Sequence, residues 1–179
     1  MLAMGISALD QQFVNTALPR IVADLGGLSR LSWIVTAFML TQTITMPLYG
    51  KLSDLYGRKR MFIVCISIFL LGSALCGGAQ SMLQLIVFRG VQGLGAGGIY
   101  TLVSTTIGDF VAPRDRGRYQ AYVTGTMVLC TVAGPVVGGI LTSAFTWRAV
   151  FLVNLPLGAI VMAALIATLP RSPLGGIGV

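Results

Sequence analysis

The chain has 179 residues, of which 55% are hydrophobic and only 9% charged, with a formal net charge of +7. A soluble domain carries about 25% charged residues, so most of this surface has to face something other than water. The basic excess sits mainly in short stretches between apolar runs. That assigns it to membrane topology and anionic headgroups rather than to a nucleic acid, whose binding wants a basic face with interleaved aromatics.

The sequence contains no His and no Glu. No nucleophile–base constellation can be assembled from what remains, so an enzyme is not expected, nor is a metal site or a cofactor. Cys65, Cys76 and Cys130 are odd in number, lie inside apolar runs, and read as buried free thiols.

A membrane-spanning helix needs about 20 mostly apolar residues. Six such runs follow one another, at 1–22, 31–50, 61–79, 82–108, 120–143 and 149–169. All are rich in Gly, Ala, Ser and Thr, which let helix backbones approach closely in lipid. The expected fold is an all-α membrane protein, with a six-helix unit over 1–170 and a short tail or linker start at 171–179. Lys51, Arg58, Lys59, Arg60, Arg114, Arg116, Arg118 and Arg171 fall on one side of this arrangement; Arg20, Arg30 and Arg148 fall on the other, partly offset by Asp24. The richer side is expected to be cytoplasmic, with both termini inside and the spans in the plasma (inner) membrane. The opening residues carry no basic region or cleavage site, so no signal peptide is expected. The abrupt ends suggest a fragment of a longer reading frame.

Span 1 carries Asp10 about 14 Å along the helix, near mid-membrane. A carboxyl there is costly and points to function, against the alternative that it stays neutral or caps a neighbouring helix. Span 2 runs from Trp33, an interfacial anchor, through Thr41, Gln42, Thr43, Thr45 and Pro47 to Gly50, which is expected to end the helix. The loop that follows, Gly50 to Arg60, is the densest charge cluster in the chain. It contains Lys51, Asp54, Gly57, Arg58, Lys59 and Arg60. Span 3 is nearly featureless and is expected to face lipid.

Span 4 holds Arg89, Gln92 and a run of glycines at 93–98 that matches Gly-x-Gly-x-x-Gly. No strand precedes it and no acid stands about 20 residues on, so a dinucleotide site is rejected; Gly93 and Gly97 read as a close-packing face. Arg89 keeps its charge and needs a carboxylate, backbone carbonyls or a water-filled cavity, unless it snorkels to the interface. Asp109 closes the span. Span 5 contains Gly134-Pro135 followed by Gly138-Gly139, a kink beside small residues. Span 6 opens on Trp147 and Arg148, taken as interfacial anchors, and continues to Asn154 and a kinking Pro156.

Several of these stretches resemble one family. Gly50 to Lys59, with both glycines, Asp54 and the basic pair in place, resembles the signature between helices 2 and 3 of the major facilitator superfamily. Leu9-Asp10 through Asn15 to Ala17-Leu18-Pro19 resembles helix 1 of its fourteen-helix drug:proton antiporters, with Gln12 where that branch has Thr. Arg89-x-x-Gln92-Gly93 resembles the helix-4 signature, and the Gly134 to Gly139 string the helix-5 signature of exporters, although Cys130 stands where that pattern often has Gly. Trp147-Arg148 to Pro156 matches the same branch. The resemblance implies two inverted three-helix repeats forming the N-terminal half of a transporter. It also implies a C-terminal half as partner and a small-molecule substrate that is amphipathic or cationic.

On this reading the proton gradient is the energy source. Asp10, Arg89, Asn15 and Gln92 would serve proton coupling in a shared wet cavity. Gly50, Asp54, Gly57, Arg58, Lys59 and Asp109 would form a cytoplasmic latch, and Gly134, Pro135, Gly138 and Gly139 a hinge and packing face. An importer of the same superfamily, or a truncated membrane protein that does not transport, are the alternatives.

Overall fold

The computed structural model describes residues 2–168. These form helices α1 (Leu2–Leu25), α2 (Leu31–Tyr56), α3 (Arg58–Gly77), α4 (Met82–Phe110), α5 (Arg116–Ala144), α6 (Arg148–Leu152) and α7 (Asn154–Thr168), with a 3-10 turn at Leu28–Arg30. Residues 171–179, and with them Arg171 and the expected tail, lie outside the described residues.

A helix stands at each of the six expected stretches, with shifted ends. The second runs on to Tyr56 rather than stopping at Gly50, because helical geometry persists until Gly57 adopts φ +86°. Gly50 is therefore interior to α2, where the space a side chain would occupy lies 3.7 Å from the Thr101 methyl of α4. Span 6 is two helices. The interruption falls at Val153, one residue beyond Leu152, whose carbonyl has no donor because Pro156 lacks an N–H. The turn between α1 and α2 is made by Gly26 and Gly27, both at positive φ. Ser81 caps α4 by accepting from the Gln84 N–H at 3.3 Å, while the Gln84 side chain accepts from the Gln80 N–H at 3.0 Å.

Five segments (28–56, 58–77, 82–109, 116–144 and 148–167) are long and apolar enough to cross a membrane. The helix left out is α1, which carries Asp10, Gln11, Gln12, Asn15, Arg20 and Asp24. Polarity runs inside out. Leu40, Ile44, Leu71, Leu129, Val132, Val136, Ile140 and Ile160 are all exposed, whereas the largest fully buried side chain is Arg89.

The most extensive helix pairings are α2 with α4, α3 with α4, and α1 with α5. An inverted repeat that exchanges the first three spans with the last three turns α1–α5 into α4–α2, so two of these are one pairing seen twice. Glycine makes them tight. On Gly95, a Cβ would sit 2.5 Å from the Cys65 carbonyl oxygen and the Phe69 nitrogen of α3; on Gly97, it would sit 2.5 Å from the Gln42 carbonyl oxygen of α2. Helix α4 is thus wedged between two neighbours at near backbone-to-backbone distance.

Span 3 does not simply face lipid. Met61, Phe62, Cys65, Ile66, Phe69, Gly72, Ser73 and Cys76 are buried, because its small residues admit α4 on one side. Hydropathy alone does not separate a lipid face from a protein interior.

Candidate functional site

The wedging of α4 carries Arg89 into the middle of the bundle, opposite Asp10 on α1. Nη1 of Arg89 donates to Oδ2 of Asp10 at 2.6 Å and to Oε1 of Gln92 at 2.9 Å. The second carboxylate oxygen of Asp10 accepts from Nε2 of Gln92 at 3.1 Å and from Nδ2 of Asn154 at 2.5 Å. Asn154 Nδ2 also donates to Ser73 Oγ at 3.1 Å, and that hydroxyl donates to the Phe151 carbonyl at 2.8 Å. The Cys76 thiol lies 3.7 Å from Gln92 Oε1. The guanidinium sits 4.2 Å over the centre of the Phe38 ring and 5.9 Å from that of Phe151. Every long helix except α5 contributes a side chain.

Asp10 is 0% and Arg89 1% exposed, and this corrects the expected aqueous cavity. The pair is joined, but it is buried inside the bundle. The glycines of α4, and Gly72 of α3 against the Gln92 backbone, bring the surrounding helices to close approach there. Gln92 joins the cluster from one turn along α4. Asn15 does not: five residues beyond Asp10 and about 140° round the helix, it is exposed. Asn154 and Ser73 were missed in the sequence. Asn154 falls in the Trp147 to Pro156 stretch that carries the family resemblance but is given no role there, and Ser73 is one of two hydroxyls in an otherwise apolar run.

At the basic end of the bundle, Arg58 pairs with Asp109 of α4 and lies 3.9 Å from Asp54 of α2. Gly57 permits this by turning the chain at positive φ, so that Arg58 begins α3 beside the end of α4. Lys59 faces elsewhere, donating to the Ile166 carbonyl in the last turn of α7 at 2.7 Å, where a cation also meets the negative end of the helix dipole. Arg116 likewise caps α4, donating to the carbonyls of Gly108 and Val111.

Asp109 is half exposed, and exposed ion pairs contribute about 0–1 kcal/mol. Asp109→Asn is therefore expected to change the thermal midpoint by no more than about 4 °C, on the order of what such a pair supplies. If the pair acts as a latch, the same variant changes transport rate instead, which a flux assay reads separately.

At the opposite end, the Trp147 indole is buried and donates to Asp24 Oδ2 at 2.9 Å, and Arg148 donates to the Ala79 carbonyl at 3.1 Å. These residues tie α1, α3 and α6 together, so Trp147 is a bundle contact rather than an interfacial anchor. On α5, a Cβ on Gly134 would run into the Gln12 side chain and one on Gly138 would sit 3.1 Å from the Phe13 Cα, while one on Gly139 would have the Thr16 methyl at 4.0 Å. The first two thus form the α1–α5 contact.

The sequence model described as Major Facilitator Superfamily matches residues 1–177. Multidrug resistance protein 3 of Bacillus subtilis (strain 168) is 43% identical over 160 residues, which is 89% of this chain and 31% of that protein. The multidrug transporter protein MdtP of the same organism is 43% identical over 159 residues, covering 89% and 29%. The MFS-type efflux pump LUC4 of Fusarium sp is 38% identical over 172 residues, covering 95% and 30%. The chain thus spans about a third of the length of the curated relatives it matches. A crystal structure of a bacterial homologue of the human lysosomal transporter Spinster, inward-facing and unoccupied, shares the fold. It has a TM-score of 0.57 and 18% identity, over 97% of this chain and 43% of that one. By a match along almost its whole length, in a bundle of membrane-spanning helices, the chain belongs to the Major Facilitator Superfamily, a family of transporters and not of enzymes.

Proposed function

We propose that this chain is the N-terminal half-bundle of a proton-coupled exporter of amphipathic small molecules. It would sit in the plasma membrane with both termini cytoplasmic, and a second half-bundle would complete the transport cavity. The observation that carries the reading is the Asp10–Arg89 pair, buried at bilayer depth and joining the corresponding helices of the two repeats. An ion pair is a poor way to gain stability in a dry interior, since desolvation can exceed the Coulombic gain. Ionisable groups at that depth mark proton and ion pathways.

Proton uptake by Asp10 would cancel the charge that ties α1 to α4. Arg89 would keep the Gln92 carbonyl and the Phe38 ring face as partners, and a desolvated cation over an aromatic ring is stabilised by about 2 kcal/mol. The guanidinium therefore tolerates loss of its counter-charge for part of a cycle. Outward direction is supported by the relatives named as multidrug and efflux proteins. Substrate class follows from charge. Apart from sealed Asp10, the carboxylates among the described residues lie at or near helix ends, at Asp24, Asp54, Asp109 and Asp115. This half offers a ligand the amides of Gln11, Gln12 and Asn15 but no accessible negative charge at membrane depth. It therefore suits neutral hydrogen-bonding groups better than cations.

The test is Asp10→Asn in the full reading frame. The amide keeps an oxygen for Arg89, so the protein is expected in the membrane at normal amounts, with uphill efflux driven by a proton gradient abolished. Gradient-driven efflux at the wild-type rate in that variant would remove Asp10 from the mechanism.

A further inference from the structure

Asn154 touches the same carboxylate oxygen as Gln92, yet it stands on a different helix and at a special place. It is the first residue of α7, immediately after the break at Val153. Its amide nitrogen makes two hydrogen bonds, to Asp10 and to Ser73, while its carbonyl oxygen is buried with no partner. Ser73 in turn donates to the Phe151 carbonyl, three residues before Asn154 and on the other side of the break. A relay therefore runs from the Asp10 carboxylate through Asn154 and Ser73 to the backbone of α6.

The geometry points to Asn154 as the positioning residue through which the charge on Asp10 reaches the α6–α7 break. This rests on the proton-coupling reading above. With Asp10 ionised, both its oxygens are acceptors and the amide must present its NH2, as observed. A proton arriving at Asp10 goes to Oδ1, because Oδ2 faces the guanidinium. The new O–H needs an acceptor, and a half-turn of the Asn154 amide supplies one in its unpartnered oxygen. That oxygen then also lies within reach of the Ser73 hydroxyl, which can leave the Phe151 carbonyl to donate to it. One proton is added and no covalent bond other than O–H forms; only hydrogen bonds change direction. The result is two alternative arrangements of one network, each biased by one charge state of Asp10.

The break gives the switch something to act on. The Leu152 carbonyl has already lost its helical donor to Pro156, so the Phe151 carbonyl is held at a point where the helix is weakest. Other ionisable groups facing the site are Arg89 from α4 and the Cys76 thiol from α3; the contacts from α2 and α6 are the Phe38 and Phe151 rings.

The test uses the full reading frame in membrane vesicles, with efflux measured against pH at matched protein amounts for the wild type, Asn154→Leu, Asn154→Asp and Ser73→Ala. Asn154→Asp sets a second carboxyl beside Asp10, and two acids sharing one guanidinium hold a proton to higher pH. Its efflux midpoint is expected to move to the alkaline side by about one pH unit or more. Asn154→Leu and Ser73→Ala are expected to move it as well. Infrared difference spectra across the same pH range give a second readout. The protonated-carboxyl band that disappears in Asp10→Asn is expected to shift in Asn154→Leu, because its hydrogen-bond acceptor is gone. Wild-type midpoints in Asn154→Asp and Ser73→Ala, or an unshifted band in Asn154→Leu, overturn the relay. If Asp10→Asn itself leaves gradient-driven efflux intact, it is the functional reading that fails.

Discussion

Arg89→Met is expected to destabilise the bundle by about 3–5 kcal/mol, the usual cost of removing one partner from a buried pair. The reason is asymmetric burial of charge. Methionine fills much of the space and packs well on Phe38, so the loss is not one of volume. What remains is a carboxylate with no exposure and only neutral donors, from Gln92 and Asn154. Thermal unfolding of the purified full-length protein in detergent reads this directly, and abundance in the membrane is expected to fall with it. Adding Asp10→Asn removes the stranded charge, leaves an amide that can bond to Gln92 and Asn154, and is expected to recover most of the lost stability without recovering efflux. Arg89→Lys keeps the charge but loses the planar guanidinium that lies over Phe38, so a partial loss is expected. Wild-type stability in Arg89→Met would mean that Asp10 is neutral in the resting protein, and the account of a paired interior would fall.

The features readable in the sequence were those with a steep physical cost. Charge at bilayer depth is expensive wherever it occurs, so Asp10 and Arg89 stood out before any helix was placed against another. The permanent charge of a guanidinium meant that Arg89 needed a partner, and the structure supplies Asp10 directly. What surrounds them was not readable in the same way. Asn154 and Ser73 are ordinary polar residues that helix-to-helix hydrogen bonding would explain anywhere in lipid; only the packing of α3 and α7 brings Asn154 onto Asp10 and Ser73 onto Asn154. The expected wet cavity failed for a related reason. An ionisable residue says that it must be satisfied, but not whether water or protein satisfies it. Here four buried side chains from three helices do so, and Asn15, which shares the helix-1 signature, points away. At the basic end, the run Arg58-Lys59 reads as one patch, yet helical geometry separates neighbouring side chains by 100°. One reaches Asp109 and the other the end of α7.

Glycine is where the packing is most exposed to test, because the chain holds 23 of them and the structure ranks them sharply. Gly72→Ala and Gly95→Ala are each expected to destabilise by about 1–3 kcal/mol or more, as overpacking does, while Gly139→Ala is expected to be neutral or to gain up to about 1 kcal/mol from helix propensity. A methyl on Gly72 would lie 2.6 Å from the Gln92 Cα and 2.7 Å from its nitrogen. Those are backbone atoms that no rotamer change can move. On Gly95 the obstacle is the α3 backbone at Cys65 and Phe69, at 2.5 Å. Gly139, by contrast, has the Thr16 methyl at 4.0 Å, an ordinary contact. The two damaging substitutions differ in a way that connects fold to site. Gly72 presses on the residue that bonds both Asp10 and Arg89, so its alanine variant displaces Gln92 as well as α4. Gly95 lies three residues further along and touches no member of the cluster. Under the proposed proton-coupled efflux, Gly72→Ala is therefore expected to alter the pH profile in the protein that remains folded, and Gly95→Ala to lower the amount of protein while leaving that profile in place. Thermal midpoints together with efflux per folded molecule separate the two. Equal stability for Gly72→Ala and Gly139→Ala would mean that α3 and α4 are not in backbone contact, and the sealed interior that holds the ion pair would have to be redrawn.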